Sequence, residues 1–118
     1  MVSPGLRALL ASAEGAGVLA GEGVEQGSAV HPVCGDELSL SFRMDGDCFA
    51  EVQWQAVGCP ACMAVAAALP SAWRGAPRAA AAHFLHARLE ALGGLAPHER
   101  HAEALALDAL RAARPRRR

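Results

Sequence analysis

Lysine and tyrosine are absent from this 118-residue chain, and aromatic side chains make up only 4% of it. Few rings are therefore available to the core. Leu, Val and Ala must fill the interior around Trp54, Trp73, Phe42, Phe49 and Phe84. No run approaches the roughly 18 apolar residues of a membrane-spanning helix. The N-terminal stretch also lacks an apolar segment of signal-peptide length. An excess of either charge is missing too: the formal net charge is −1, so no overall field points to nucleic acid. These absences predict a cytoplasmic protein whose thiols stay reduced. Cys34, Cys48, Cys59 and Cys62 then read as metal ligands, reactive thiols or core residues rather than disulfides.

What the chain does have is alanine. Hydrophobic residues make up 53% of it, and alanine, much of that share, loses no side-chain entropy in a helix. The length suits one domain over residues 1–118, with 1–24 and 114–118 expected to be weakly ordered. All 11 basic residues are arginine, and the chain closes on Arg114-Pro115-Arg116-Arg117-Arg118. That tail reads as a solvated terminus, with a phosphate or an acidic partner as the alternative contact.

Periodicity gives the elements. Ser3 as N-cap and Pro4 at the first helical position predict a helix over 3–13. A glycine-dense loop follows, from Gly15 to Gly27. Residues 37–44 alternate strictly between polar and apolar, the period of a half-buried strand. Asp45-Gly46 signals a hairpin turn. In the return run, Cys48, Ala50, Val52, Trp54 and Ala56 share the dry face, and Glu51, Gln53 and Gln55 the wet one. A short strand before Pro32 would extend the sheet. Helices are expected over 59–69, stopping before Pro70; over 78–92, ended by Gly93-Gly94; and over 98–113. Strands first and helices after predict an α+β domain: a small antiparallel sheet of about three strands with helices packed on one face.

Three places carry chemistry. In His31-Pro32-Val33-Cys34-Gly35-Asp36 a thiol and a carboxylate flank a glycine that lets a tight loop turn both inward. In Gly58-Cys59-Pro60-Ala61-Cys62 a strand passes into a helix, whose N-terminus is expected to lower the pKa of Cys59. His101 opens the last helix. Cys62 lies three residues after Cys59 on the same helix face; it is either a further ligand or a small buried apolar side chain. Cys48 reads as core, and His83, His86 and His98 as surface histidines.

Taken together, Pro32-Val33-Cys34-Gly35-Asp36, a hairpin, Gly58-Cys59 opening a helix, and the terminal stretch from His101 to Ala113 resemble the IscU/NifU N-terminal scaffold family. The resemblance runs from about Gly17 to Ala113. Cys34 and Cys59 are 25 residues apart, close to the family's spacing, and the interval from Cys59 to His101 fits the IscU branch. The resemblance implies an iron–sulfur cluster assembly scaffold rather than an enzyme. It implies a cysteine desulfurase as sulfur donor and apo iron–sulfur proteins as recipients. It also implies that Cys34, Asp36, Cys59 and His101 hold a [2Fe–2S] cluster or iron, with Zn²⁺ as the resting or alternative metal. Their donor atoms should then lie within about 4 Å of one another.

Two departures stand out. The family's third cysteine falls at Ala102, which cannot bind metal. The family's LPPVK segment, read by a specialised Hsp70 chaperone, is here Leu95-Ala96-Pro97-His98-Glu99. Lysine has become glutamate there, which argues against use of that chaperone. Two rival readings follow: a degenerate zinc-binding paralogue that stabilises itself or regulates a desulfurase, and a thiol redox or sulfur-transfer enzyme built on Cys59 and Cys62.

Overall fold

The computed structural model of the chain describes residues 2–115. Helix α1 spans Pro4–Ser12, capped as expected by the Ser3 hydroxyl, which accepts the Leu6 N–H. Strands β1 (Glu25–Val30), β2 (Glu37–Asp45) and β3 (Cys48–Val57) lead into helix α2 (Pro60–Trp73). A 3₁₀ turn over Arg78–Ala80 precedes α3 (Ala81–Ala91), and a second over Pro97–Glu99 precedes α4 (His101–Arg111). A two-residue strand, β4 (Arg114–Pro115), closes the described chain.

The sheet is antiparallel, with strand order β3-β2-β1-β4. It thus has four strands, one more than expected. The stretches expected to be weakly ordered contribute to the fold. Leu6 of α1 is buried, and Arg114 and Pro115 pair with Gln26 and Glu25. The rest of the arginine tail, Arg116 to Arg118, lies outside the described residues. The glycine-rich loop runs along β3: Gly17 N–H donates to the Trp54 carbonyl and Trp54 N–H to that of Gly15. Among the described residues no helix is long and apolar enough to cross a membrane.

One sheet face is dry. Leu38, Leu40 and Phe42 of β2 meet Val52 and Trp54 of β3, and α2 and α4 cover them. Gly27 lets α4 approach β1 closely, because a Cβ there would overlap the Ala109 carbonyl. The strict alternation expected along β3 fails at its start. Arg43 pairs with Glu51 and Met44 with Phe49, leaving Ala50 as the extra residue of a β-bulge. The bulge turns Phe49 inward and Ala50 out to solvent, trading a methyl group for a whole ring in the core. Cys48, expected in the core, is half-buried at the strand's end. Phe84, also expected there, is exposed and meets the His83 ring edge-on. His83, His86 and His98 are exposed, as expected, and His86 faces Glu103.

Helix α2 does not stop before Pro70 but carries the proline inside it. Interior proline costs about 3 kcal/mol. Continuing the helix delivers Trp73, fully buried, onto Phe49, with ring centroids 5.1 Å apart and its Nε1–H on the Ala81 carbonyl. A buried aromatic removes about 150–250 Å² from water, roughly 4–6 kcal/mol, so the tryptophan outweighs the proline.

The bulge can be tested directly. Phe49→Ala should lower stability by about 3–5 kcal/mol, whereas Ala50→Asp should stay within about 0.5 kcal/mol of wild type. Denaturant midpoints measure both, and the reverse order would restore unbroken alternation.

Candidate metal centre

The loop between β1 and β2 is closed by its own backbone. His31 N–H donates to the Asp36 carbonyl at 2.7 Å, and Gly35 N–H to that of His31 at 2.9 Å. Gly35 sits at φ +73°, a conformation that glycine adopts without strain. Asp36 is thereby turned inward and is only 4% exposed, while Cys34 is exposed. The opposite wall comes from the junction of β3 and α2. Gly58, at φ +140°, allows the approach, because a Cβ there would overlap the Asp36 carboxylate. The Cys59 N–H then donates to Asp36 Oδ1 at 3.0 Å. Asp36 therefore caps α2, a role that Cys59, the residue at the N-cap position, leaves unfilled.

His101 arrives from the third side. The turn before α4 is fixed by Glu99, which is buried and accepts the Ala96 N–H at 2.8 Å. Glu99 is thus turned inward and caps its own turn. His101 Nδ1 lies 3.1 Å from the His98 carbonyl. A proton on Nδ1 satisfies that carbonyl and leaves Nε2 to the site.

Asp36 Oδ2 is the point of convergence. It lies 3.0 Å from Cys59 Sγ, 3.3 Å from His101 Nε2 and 3.5 Å from Cys34 Sγ. Cys34, Asp36 and His101 each present one donor atom within 4.8 Å of the others. Cys59 Sγ adds a contact of 3.7 Å to His101 Nε2. The spread of that trio is wider than the expected 4 Å, and Cys59 stands outside it, in contact with Asp36 and His101. A cavity of about 420 Å³ opens beside Cys59 and His101, lined also by Val2, Leu10, Pro60 and Ala61.

Electrostatics corrects one expectation. The Cys59 thiol was expected to acidify at the helix mouth, but its pKa is raised. Burial is the main cause, and its hydrogen bond to Asp36 adds to it. The amides of Cys62 and Ala61 pull the other way and lose. The positive end of α2 is answered by the Asp36 carboxylate instead. Asp36 itself is held below the ordinary carboxylate value, chiefly by the Cys59 thiol, against an opposing contribution from its burial.

Cys62 does not join the donors. It is fully buried, its polar contact is the Glu37 carbonyl at 3.9 Å, and burial pushes its thiol up to about 12. Ala102 is likewise buried. The sequence reading passed over His31. Its Nδ1 lies 3.1 Å from Cys34 Sγ and accepts the Val33 and Cys34 amides at 3.3 Å each, and its ring is 5.0 Å from that of His101. The available signal was its position at the head of the Cys-Gly-Asp loop, three residues before Cys34. Two sulfurs, a carboxylate and an imidazole suit tetrahedral zinc and are within the range that iron accepts.

Fold and site together define an α+β domain with a Cys/Asp/Cys/His donor cluster at one end of its sheet. A family model described as the NifU-like N terminal domain matches residues 11–115. The chain is 40% identical over 87 residues to the "Bifunctional protein NifU/MnmA" of Rubrobacter xylanophilus, a match covering 71% of this chain and 18% of that protein. It is 32% identical over 88 residues to "Iron-sulfur cluster assembly scaffold protein IscU 1" of Archaeoglobus fulgidus, covering 74% of this chain and 58% of the relative. The chain thus spans less than two-thirds of the length of these curated relatives. A crystal structure of a "Nitrogen-fixing NifU-like protein (N-terminal)" from Brucella abortus shares the fold, with a TM-score of 0.66 at 17% identity, covering 92% of this chain and 91% of that one. The chain belongs to the IscU/NifU-like family.

Two outcomes follow. Gly58→Ala should push the Asp36 carboxylate out of place, lowering zinc affinity about 10–100-fold and stability by about 1–3 kcal/mol; competition with a chromophoric chelator reads the first. Zinc affinity should also rise with pH through and above neutrality. The raised Cys59 pKa keeps a proton on the thiol that the metal must expel, so affinity gains roughly tenfold per pH unit for each proton released. A flat profile over that range would contradict the protonated thiol.

Proposed function

We propose that this domain is an iron–sulfur cluster assembly scaffold. It receives sulfur from a cysteine desulfurase, holds it with iron, and passes the cluster to apo iron–sulfur proteins. The observation that carries this reading is the convergence of Cys34, Cys59 and His101 on Asp36 Oδ2. Membership of the family and the name of the Archaeoglobus relative support it.

Cys34, Asp36, Cys59 and His101 hold the cargo. Cys34 is the thiol open to a partner, so it accepts the sulfur. Its Sγ attacks the outer sulfur of the donor's persulfide; a new S–S bond forms, the donor's breaks, and the donor cysteine leaves as thiolate. Asp36 is a hard oxygen donor among soft ligands and keeps the bound metal exchangeable. Such a protein carries rather than turns over, and it works in a reducing compartment, the cytoplasm. With Glu99 turned inward as a cap, the segment offers no lysine to a specialised Hsp70 chaperone.

A second reading, a zinc-only paralogue, draws on the compactness of the Cys34, Asp36 and His101 group and on Ala102. A redox role for Cys59 with Cys62 gains no support from a fully buried second thiol pushed up to about 12.

Anaerobic incubation with ferrous iron, cysteine, a cysteine desulfurase and a thiol reductant, which supplies the two electrons that turn each persulfide sulfur into sulfide, separates these readings. A scaffold gains visible absorption together with iron and acid-labile sulfide in matching amounts, and Cys59→Ser loses both. Stoichiometric zinc that iron and sulfide cannot displace would establish the zinc-only reading in its place.

A further inference from the structure

Ala102 leaves the site one thiolate short, and the side chain that stands nearest to making up the loss is His31. A [2Fe–2S] cluster takes four protein ligands, two at each iron, and histidine can replace cysteine among them. The donors in this site fall into two thiol–imidazole pairs. His31 Nδ1 lies 3.1 Å from Cys34 Sγ, and His101 Nε2 lies 3.7 Å from Cys59 Sγ. The two rings meet edge to face, with centroids 5.0 Å apart. We propose that His31 supplies the fourth protein ligand of the bound cluster through Nδ1, so that one cysteine and one histidine serve each iron.

This inference rests on the scaffold reading above and deepens it. The tautomers agree with it. His31 Nδ1 accepts two backbone amides, so its lone pair is free of a proton and already faces the loop that carries Cys34. Both contacts are long, at 3.3 Å, so little is given up when a metal takes that lone pair. His101, with Nδ1 turned to the His98 carbonyl, offers Nε2 in the same way.

With His31 counted, five donors compete for four places. Asp36 is the one left over, because a carboxylate is the poorest match for sulfide-bound iron and its Oδ1 already serves as the cap of α2. Asp36 Oδ2 then gathers the three donors around it, holds iron while the cluster is being assembled, and yields its place to His31 once the cluster is complete.

The test counts nitrogens. Wild-type protein is loaded anaerobically with ferrous iron and sulfide, reduced, and examined by pulsed electron paramagnetic resonance. Two strongly coupled ¹⁴N nuclei are expected. His31→Asn keeps an acceptor for the loop amides, since asparagine caps such turns with its side-chain oxygen, but it removes the imidazole. It should keep the wild-type circular dichroism spectrum, lose one of the two couplings, and bind several-fold less cluster. His31→Cys should recover the cluster content with a single nitrogen coupling. One coupling in wild type, or a spectrum and content unchanged in His31→Asn, overturns the assignment and leaves the scaffold reading standing. Wild-type protein that takes up no iron and sulfide overturns both.

Discussion

The site depends on one buried carboxylate. Asp36 accepts the Cys59 amide on one oxygen and gathers two thiols and an imidazole on the other. A carboxylate this deeply buried is costly unless hydrogen-bonded. Here its partners come from a loop, a helix mouth and the start of the last helix, so satisfying the charge and assembling the donors are the same event. Gly58 is the steric condition for it. Any side chain at that position would occupy the space of the carboxylate.

The rest of the fold holds those three approaches rigid. Leu38 and Ala29 pair across β1 and β2 just behind the loop. The Phe42, Phe49 and Trp73 rings lock α2 to the sheet, with Phe49 and Trp73 stacked at an interplanar angle of 10°. Alanine at Ala64, Ala66, Ala67 and Ala68, all buried, lets the remaining elements close around that helix. Small side chains in a helix interior permit short interaxial distances, and Gly27 does the same for α4 on β1. The scarcity of aromatics is met by placing three of the few in one cluster, Phe49 stacked on Trp73 and edge-on to Phe42.

The proposed scaffold role requires a site firm enough to order its donors and loose enough to part with its cargo. The exposed Cys34 and the half-buried Cys59 divide those demands between them. The loop thiol is open to solvent, while the helix thiol is hydrogen-bonded to Asp36 Oδ2. A third thiolate at position 102 would raise affinity for soft metals; alanine there shifts the balance toward nitrogen and oxygen donors.

The sequence by itself determined a good deal. Strict alternation in β2, the Asp-Gly turn and the Ser3 cap marked their elements because each is a local preference acting over a few residues. The order Cys-Gly-Asp, Gly-Cys, His identified the family and named four side chains that the fold brings together around Asp36 Oδ2. What it misread were outcomes of long-range packing. The bulge at Ala50 and the passage of α2 through Pro70 follow from where Phe49 and Trp73 find room, which no local window reveals. The pKa of Cys59 went the other way chiefly because packing buries its thiol, with the hydrogen bond to Asp36, distant in sequence, adding to the rise. Only the tertiary structure could set His31 beside Cys34 and His101, since whether an imidazole faces a donor cluster depends on how its loop closes and what packs across from it.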